Sequence, residues 1–361
     1  MREDREGFLQ PHIDTDTCIK CHKCEKTCPI ISPITIPTDF ETQAYAAINK
    51  DEAVRMRSSS GGIFHALAKW TIMQGGVVFG ARFNENWEVV HDYTETLEGI
   101  EPFMRSKYVQ SCIGETFKQA KQFLDQGRQV LFVGTPCQIG GLKSYLNKNY
   151  ENLLAVDLIC HGVPSPKVWR KYLRWKTKRD DVVDISFRDK SDGWKEFLCV
   201  TITTTSTQFE RQMKNLYFRG FLCNVYLRRS CYNCQFKQLH RISDMTMADY
   251  WGVQEFCSEM DDNKGTSGIF IHSVKGELIL KHISDNLLLK EQKIDSVTAD
   301  NSMMTESVVL TSKRKRFYFY FGWLPFAISK FAIDKDWIIK RIYGKTKRTI
   351  KKVLNHLCKN K

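Results

Sequence analysis

The sequence of 361 residues lacks the segments that direct a chain into a membrane or onto a secretory route. It has no run of about 18 apolar residues, the length needed to span a bilayer. Its first ten residues, MREDREGFLQ, have no apolar core of the kind that a signal peptide contains. We therefore expect a cytoplasmic protein.

Two phosphate-binding motifs are missing as well. The sequence contains neither Gly-x4-Gly-Lys-Ser/Thr nor Gly-x-Gly-x2-Gly. These motifs cradle phosphates in P-loop proteins and in Rossmann-type dinucleotide sites. Their absence argues against an intrinsic nucleoside triphosphatase and against a Rossmann NAD site.

Lys and Arg outnumber Asp and Glu by 54 to 41, but the excess of positive charge is not spread along the whole sequence. Residues 313–361 contain 15 of these bases and only two acids, which accounts for the entire net charge of +13. Residues 1–312 contain 39 residues of each sign. The charge therefore belongs to one segment, which argues against nucleic acid as a partner.

The composition and the order of elements predict an α/β protein. Apolar residues make up 42% of the chain and charged residues 26%, values typical of folded domains. Strand-like and helix-like segments alternate over residues 44–180, as in a mixed sheet with helices on its faces. Period-two alternation then predicts a mixed α+β second lobe over 181–312. A small ferredoxin-like module over 1–37 precedes these lobes, and an aromatic and basic helical tail over 313–361 follows them.

Local signals predict individual helices within these lobes. Ser58, Ser59 and Ser60 are expected to provide the cap of a helix over residues 61–74 that stops at a Gly-Gly pair. A second helix is expected around residues 216–229.

Thirteen cysteines make a poor disulfide framework, because the number is odd and four lie within eleven residues. In a reducing compartment such clustered thiols are usually metal ligands. The four are Cys18, Cys21, Cys24 and Cys28, in the spacing Cys-x2-Cys-x2-Cys-x3-Cys-Pro. This is the spacing of a [4Fe-4S] ferredoxin motif, in which three thiolates hold one cluster and the last points to a second. A zinc knuckle is the alternative, although tetrahedral zinc sites use separated cysteine pairs.

A single motif of this kind leaves the arrangement incomplete, since a two-cluster ferredoxin uses two. Residues 7–14 (GFLQPHID) look like the strand that lies between two such motifs. One hypothesis is that Met1 is an internal methionine and that the fourth ligand for Cys18, Cys21 and Cys24 is encoded upstream. The other is that Cys28 closes a single cluster.

Four further cysteines predict a second site. Cys137 and Cys160 each follow a predicted strand, and the carboxyl ends of parallel strands face one crevice. Cys231 and Cys234 add a close pair. We expect these four thiols to hold a second [4Fe-4S] cluster; the alternative is that some of them are buried apolar thiols. That apolar role is expected for Cys112, Cys199, Cys223, Cys257 and Cys358.

Six motifs follow one another along the chain: SSSGGIF at residues 58–64, SKYVQS at 106–111, GTPCQI at 134–139, CHGVPS at 160–165, CYNC at 231–234 and SDMTMADYWG at 243–252. In this order they resemble the coenzyme F420 hydrogenase/dehydrogenase beta-subunit family over about residues 15–275. The form with an N-terminal ferredoxin module is similar to proteins found beside bacterial polysaccharide-biosynthesis genes.

The resemblance implies a flavin, usually FAD, beside a [4Fe-4S] cluster. A helix N-terminus in the serine–glycine segment would favour the flavin diphosphate, and the alternative is an ordinary helix cap. Lys107 would offer positive charge near reduced flavin, or else lie in a solvated loop. His161 would relay a proton as a catalytic residue, or else make a structural hydrogen bond. The implied flavin contacts are Ser59, Ser60, Gly61, Gly62, Ser106, Lys107, Tyr108, Gln110 and Thr135.

These features predict an iron-sulfur flavoprotein oxidoreductase. Electrons would pass from a ferredoxin or another redox partner through the clusters to the flavin, and on to a soluble acceptor or substrate. That acceptor would be of the F420 type or a polysaccharide-pathway intermediate, and no sequence feature singles out an F420 pocket. The second hypothesis is an electron-delivery or accessory protein without its own substrate, serving a membrane-associated polysaccharide pathway. The third is a metal-stabilised interaction protein.

The tail combines aromatic and basic residues. Residues 317–333 (FYFYFGWLPFAISKFAI) are rich in aromatics, and residues 340–352 are basic with apolar residues near helical spacing. This combination predicts peripheral contact with an anionic membrane at its inner face. The alternative is that residues 317–333 pack on the core and the remainder forms a solvated helix.

Overall fold

A computed structural model describes residues 1–36, 39–321 and 326 of the chain. Within them, strands and helices alternate over most of the length, and the predicted α/β class is confirmed. The strands are β1 Arg2–Glu3, β2 Leu9–Gln10, β3 Gln43–Asn49, β4 Val77–Phe83, β5 Val89–Thr94, β6 Val130–Gly134, β7 Leu153–Leu158, β8 Val182–Asp189, β9 Leu198–Thr203, β10 Thr207–Arg211, β11 Met245–Asp249, β12 Ser267–Ile271 and β13 Leu287–Gln292. The α-helices are α1 Lys23–Lys26, α2 Glu52–Arg57, α3 Ile63–Met73, α4 Thr116–Asp125, α5 Pro136–Leu146, α6 Pro166–Thr177, α7 Leu216–Leu222, α8 Val253–Phe256, α9 Val274–Ile283, α10 Ile294–Thr298 and α11 Ser312–Phe321. Short 3₁₀ segments lie at Glu98–Phe103, Arg229–Asn233, Ser258–Met260, Ser284–Asn286 and Ser302–Met304.

An eight-stranded mixed sheet forms the centre of the molecule, in the order β13-β3-β12-β11-β7-β6-β4-β5. Strands β4, β6, β7 and β11 run parallel to their neighbours within this group, and the flanking pairs are antiparallel. The parallel strands carry nearly continuous apolar runs because both faces are covered by helices. Leu131 packs with α3 and α9 on one face, and its neighbour Phe132 packs with α4 and α5 on the other.

A smaller antiparallel sheet, β10-β9-β8, accounts for part of the expected second lobe. It packs with α6 and α7 in an aromatic cluster that includes Trp169 and Tyr217. The remaining strands of residues 181–312 do not belong to this smaller sheet. Strand β11 pairs with β7, and β12 and β13 pair with β3, so the chain returns to the central sheet after residue 244. The boundary expected near residue 181 therefore marks the point at which the chain passes from the central sheet to the smaller one. The chain later rejoins the central sheet.

The N-terminal segment is joined to the core by its first ten residues. Strands β1 and β2 form an antiparallel hairpin, and Phe8 beside it is only 1% exposed. The carbonyl of Glu6 accepts a hydrogen bond from Ser165 Oγ at 2.5 Å, and the Leu9 carbonyl accepts one from Arg228 at 2.9 Å. Residues 1–10 of the expected module 1–37 therefore pack against the core.

The expected tail does not begin as a separate appendage at residue 313. Helix α11 buries Phe317 and Phe321, which are 0% and 4% exposed, and Phe326 is buried against Tyr172. Arg314 forms an ion pair with Glu6 of the N-terminal hairpin. The alternative, in which the aromatic segment packs on the core, holds for these residues because each aromatic ring has an apolar surface to cover. Residues 327–361, including the basic stretch 340–352, lie outside the described residues.

Two helix boundaries differ from expectation. The cap of α3 is Gly62, at φ +86°, and no serine side chain caps this helix. Helix α7 ends at Leu222 because Asn224 adopts φ +57° and the chain then turns away. Among the described residues, no helix is long and apolar enough to cross a membrane.

We expect Phe317→Ala to lower the free energy of unfolding by about 3–5 kcal/mol, since it removes a fully buried ring. Phe319, on the same helix, is 71% exposed and provides the matched control. Phe319→Ala should change stability by less than about 0.5 kcal/mol. Urea unfolding followed by circular dichroism measures both; equal effects would show that α11 does not belong to the core.

Candidate functional site

A cavity of about 640 Å³ opens at the carboxyl ends of β6, β7 and β11. Ligand pockets commonly have volumes of about 300–1,000 Å³ and occupy this position in α/β sheets. Gly134, Ile159 and Asp249 mark the three strand ends in its wall. Of the residues expected to contact a flavin, seven line the cavity: Ser59, Ser60, Gly62, Ser106, Lys107, Tyr108 and Thr135.

Hydrogen bonds join the serine–glycine segment to its surroundings. Ser59 Oγ accepts from the backbone N–H of Ser106 at 2.8 Å, so two separate sequence motifs meet in one wall. Ser60 Oγ donates to the Thr266 carbonyl at 2.9 Å. Gly61 lies behind the wall, where a Cβ would stand 2.4 Å from the Ala47 carbonyl oxygen. Gly61 is thus required for close packing on β3 and does not line the cavity.

Lys190 supports this segment from behind and was not identified from the sequence. Its Nζ donates to the carbonyls of Ser60, Arg55 and Lys264 at 2.6, 2.7 and 2.7 Å, and the side chain is buried. Burial, with the nearby charges of Arg188 and Arg55, lowers the pKa of Lys190 to about 7. The lysine follows β8 in a polar run without a recognisable motif, so only tertiary structure reveals its role.

Lys107 does not present a free ammonium group to the cavity. Its Nζ donates to the carbonyls of Met104 and Pro102, at 2.5 and 2.8 Å. Burial, and then the neighbouring Arg105, lower the pKa of Lys107 well below its usual value. Tyr108 packs against Phe218 and other rings of the aromatic cluster. Gln110 lies outside the lining, and its buried Oε1 has no hydrogen-bond partner among the described residues.

His161 lines the cavity and makes the structural hydrogen bond expected as the alternative. A ring nitrogen, Nε2, lies 2.7 Å from Asn224 Oδ1, and the ring stands edge-on to Phe221. Burial lowers the pKa of His161. The imidazole is therefore held in one orientation and is predominantly neutral near pH 7.

Backbone pairing brings the loop after β7 beside the segment that carries the close cysteine pair. Pro164 forms an antiparallel bridge with Leu227, and the N–H of Arg228 donates to the Val163 carbonyl at 3.0 Å. Gly162, at φ +153°, allows this approach, because a Cβ there would stand 3.3 Å from the Cβ of Cys231.

We call Cys137, Cys160, Cys231 and Cys234 the cysteine quartet. Burial raises the pKa of Cys160, and the charges of the three other thiolates raise it further. Burial likewise raises the pKa of Cys231 to about 11. The charges of Cys231, Cys137 and Cys234 thus act on Cys160, which also lines the cavity. A bound cation would reverse the pKa shifts, since coordinating thiols are deprotonated.

A buried cation adjoins the cysteine quartet. Lys237 Nζ donates to the Glu306 carbonyl at 2.8 Å and to the His161 carbonyl at 3.3 Å, and its charge acts on three of the four thiols.

Within residues 1–36, 39–321 and 326, no three His, Cys, Asp or Glu side chains are grouped so that they could hold a metal ion. Four Zn–S bonds of about 2.3 Å set sulfurs roughly 3.8 Å apart. A four-iron cluster is larger and keeps its thiolates farther apart.

The N-terminal cysteines are on average more exposed than the quartet. Cys18, Cys21 and Cys24 are exposed and Cys28 is half-buried, whereas in the quartet only Cys137 is exposed and the other three thiols are half-buried. They surround α1, whose preceding residues Lys20 and His22 both have positive φ angles. A small cleft of about 80 Å³ is lined by Pro29 and Ile34 together with Pro136 and Gln235. The end of the N-terminal motif therefore shares this cleft with residues adjacent in sequence to Cys137 and Cys234.

Arg188 is the second functional candidate that sequence reasoning missed. It lies in β8, lines the cavity and pairs with Asp249. The guanidinium stands 4.8 Å from the ring centroid of Phe197 and 5.3 Å from that of Trp251. Trp251 in turn stacks on Trp194, with centroids 4.4 Å apart. Asp249 and Trp251 belong to the motif at 243–252, so that motif could have directed attention to this wall.

Comparison with known structures supports the fold. A chain of the F420-reducing [NiFe] hydrogenase complex from Methanosarcina barkeri, in a xenon derivative, is similar with a TM-score of 0.50 and 15% sequence identity. The similarity covers 75% of this chain and 90% of that chain. The search of curated proteins gave no match.

Comparison with protein families gives a more specific result. Residues 127–297 match the family model that describes the C-terminal part of the beta subunit of coenzyme F420 hydrogenase/dehydrogenase. The matched region contains the cysteine quartet, Arg188 and Lys190. This match supports, over residues 127–297, the resemblance to the coenzyme F420 hydrogenase/dehydrogenase beta-subunit family and an oxidoreductase-related role.

Proposed function

We propose that the protein is an iron-sulfur flavin-dependent oxidoreductase. It takes electrons from a ferredoxin-like donor and passes them through [4Fe-4S] clusters to a flavin, and on to a soluble acceptor. The observation that carries the proposal is the position of Cys160, which belongs to the cysteine quartet and also lines the cavity. The family match over residues 127–297 supports a redox role.

The two cysteine sets differ in exposure in a way that suits this route. The exposed thiols of Cys18, Cys21 and Cys24 can hold a cluster within reach of a partner protein, whereas three of the four quartet thiols are half-buried. Pro29, which follows Cys28, lines a small cleft together with Pro136 and Gln235, the neighbours in sequence of Cys137 and Cys234. Lys237 supplies positive charge at the quartet, and such charge helps to set a cluster's reduction potential.

A planar aromatic cofactor is compatible with the lining of the cavity. A bound flavin would supply the conversion of single electrons into two-electron chemistry. Rings of Tyr108, Phe218 and Phe221 line one wall. The Ser59–Ser106 hydrogen bond and the Lys190 contacts hold the other wall in place. His161, fixed by Asn224, lines the same cavity and would hold or move a proton there.

The cofactor assignment predicts the metal content of cysteine variants. Anaerobically purified protein should contain flavin and about eight irons per chain, as two [4Fe-4S] clusters require. Cys160→Ser and Cys231→Ser should each lose about four irons and retain the N-terminal cluster. Cys223→Ser, at a half-buried cysteine outside the quartet, is the control and should keep all of them.

Iron analysis and absorbance spectra distinguish the alternatives. Zinc in place of iron would indicate a metal-stabilised interaction protein. Iron without flavin would indicate an electron carrier. Variants of Cys160 and Cys231 with full iron content would show that the quartet holds no cluster.

Lys190→Met should weaken flavin binding by about 10- to 100-fold, which is the effect of losing hydrogen bonds to a charged group. Three carbonyls lose their donor, and the wall around Ser60 loses its support. Fluorescence titration of flavin-free protein with FAD measures the change, and iron content reports folding. Lys264→Met, which removes a more exposed lysine paired with Glu52, should leave FAD affinity unchanged. Equal affinities in both variants would contradict the assigned role of Lys190.

Removal of residues 327–361 should abolish binding to anionic vesicles while leaving iron and flavin in place. The deletion removes eleven Lys and Arg residues against two acids and spares α11 and Phe326. Each basic residue near an anionic surface contributes about 1 kcal/mol. Co-sedimentation with phosphatidylserine vesicles measures binding, and phosphatidylcholine vesicles are the control. Undiminished binding by the truncated protein would place the membrane contact elsewhere.

A further inference from the structure

We propose that Arg188 binds an oxyanion, a carboxylate or phosphate group, carried by a ligand of the cavity. The proposal rests on the proposed function in one respect: the ligand is either the flavin itself or its electron acceptor. The hydrogen-bonding state of the guanidinium and the surfaces around it support this assignment.

Arg188 is buried but incompletely paired. It is 4% exposed and lines the cavity. Its Nη1 donates to Asp249, whereas Nε and Nη2 have no hydrogen-bond partner among the residues that the structure describes. The Tyr108 hydroxyl also lies within hydrogen-bonding reach of the guanidinium, but it makes no bond of good geometry to Nε or Nη2. Buried polar groups are normally hydrogen-bonded, so two donors left without partners at a cavity wall indicate a missing acceptor.

The two unpaired donors are suited to one kind of acceptor. In a guanidinium group, Nε and Nη2 lie on the same edge, and their N–H bonds point in nearly the same direction. This edge matches two oxygens of one carboxylate or phosphate in a bidentate pair. The bond to Asp249 fixes the opposite side of the group and so orients the free edge.

The surroundings favour a ligand that also has a flat apolar part. Phe197 and Trp251 lie against the guanidinium, and both line the cavity. Gln212 is in the same lining, and its buried Oε1 is also without a partner in the described part of the chain. The wall therefore offers two parallel donors, one acceptor and aromatic surface, which together fit a planar molecule with an acidic group.

Binding measurements on the full-length protein with its cofactors test this inference without knowledge of the acceptor. Benzoate and benzamide are matched probes, since they share a ring and differ in the charged group. Calorimetric titration should show benzoate binding about 10- to 100-fold more tightly than benzamide, as charge-assisted hydrogen bonds require. Arg188→Gln should abolish this preference. Arg188→Lys should restore part of it, because a lysine keeps the charge but lacks the planar fork.

Arg211→Gln is the control, because Arg211 ends β10, in the same three-stranded sheet, with an exposed side chain paired to Glu196. It should keep the full preference for benzoate. Retention of flavin and iron in the Arg188 variants would show that they are folded.

A second set of binding measurements shows whether the oxyanion belongs to the flavin or to the acceptor. If Arg188 binds the flavin phosphates, Arg188→Gln lowers the affinity of flavin-free protein for FAD but not for riboflavin. If it binds the acceptor, the FAD affinity is unchanged and only the benzoate preference is lost. The proposal is overturned if the wild type does not distinguish benzoate from benzamide and Arg188→Gln leaves the ratio of FAD to riboflavin affinity unchanged. Failure to bind any flavin would overturn the proposed function instead, and the benzoate measurement would still decide the role of Arg188.

Discussion

The pairing between residues 163–165 and 226–228 is the constraint on which the rest of the structure depends. It joins the loop that leaves the central sheet at β7 to the segment that carries Cys231. The same two segments hold the N-terminal hairpin, because Ser165 and Arg228 bond to Glu6 and Leu9. One short contact thus sets the position of the cysteine quartet, the floor of the cavity and the attachment of the N-terminus. Glycine at position 162 suits this close approach, because its φ is +153° and a Cβ there would lie 3.0 Å from Leu227 Cδ1 and 3.3 Å from Cys231 Cβ.

Buried cationic side chains impose a second constraint, because each of their donors needs an acceptor. Lys190 and Lys237 are bound mainly by backbone carbonyls, and Arg188 has one carboxylate. Such groups cost free energy unless each donor is satisfied, and removal of a partner from a buried charge is strongly destabilising. Lys190 satisfies all three donors with carbonyls that belong to the cavity wall or its supports. Two donors of Arg188 have no partner among the described residues, and this difference separates the supporting lysine from the arginine that we propose to bind an oxyanion.

Sequence reasoning located the site but not its most buried charges. The apolar runs of β6 and β7 and the small residues after them were sufficient to predict parallel strands and a crevice at their carboxyl ends. Spacing alone cannot show that β12 and β13 return to pair with β3, because antiparallel pairing over more than 200 residues leaves no local signal. Arg188 and Lys190 likewise follow an ordinary strand. Their roles arise from desolvation and from distant backbone carbonyls, which a linear pattern does not contain. The aromatic run at 317–333 left two interpretations open, membrane contact and packing on the core, because the content of rings does not show which apolar surface they cover.

The attachment of the N-terminal hairpin bears on how electrons would reach the cavity. A ferredoxin-type module on a flexible tether delivers electrons at a rate that depends on how often it docks. Here Phe8 is buried, Glu6 pairs with Arg314 of α11, and Pro29 lines a small cleft with Pro136. These features attach the hairpin to the core and place the end of the cysteine motif in a cleft shared with a neighbour of Cys137. Transfer between the two cysteine sets would then be set by distance and potential, and the docking step would be left to the external donor.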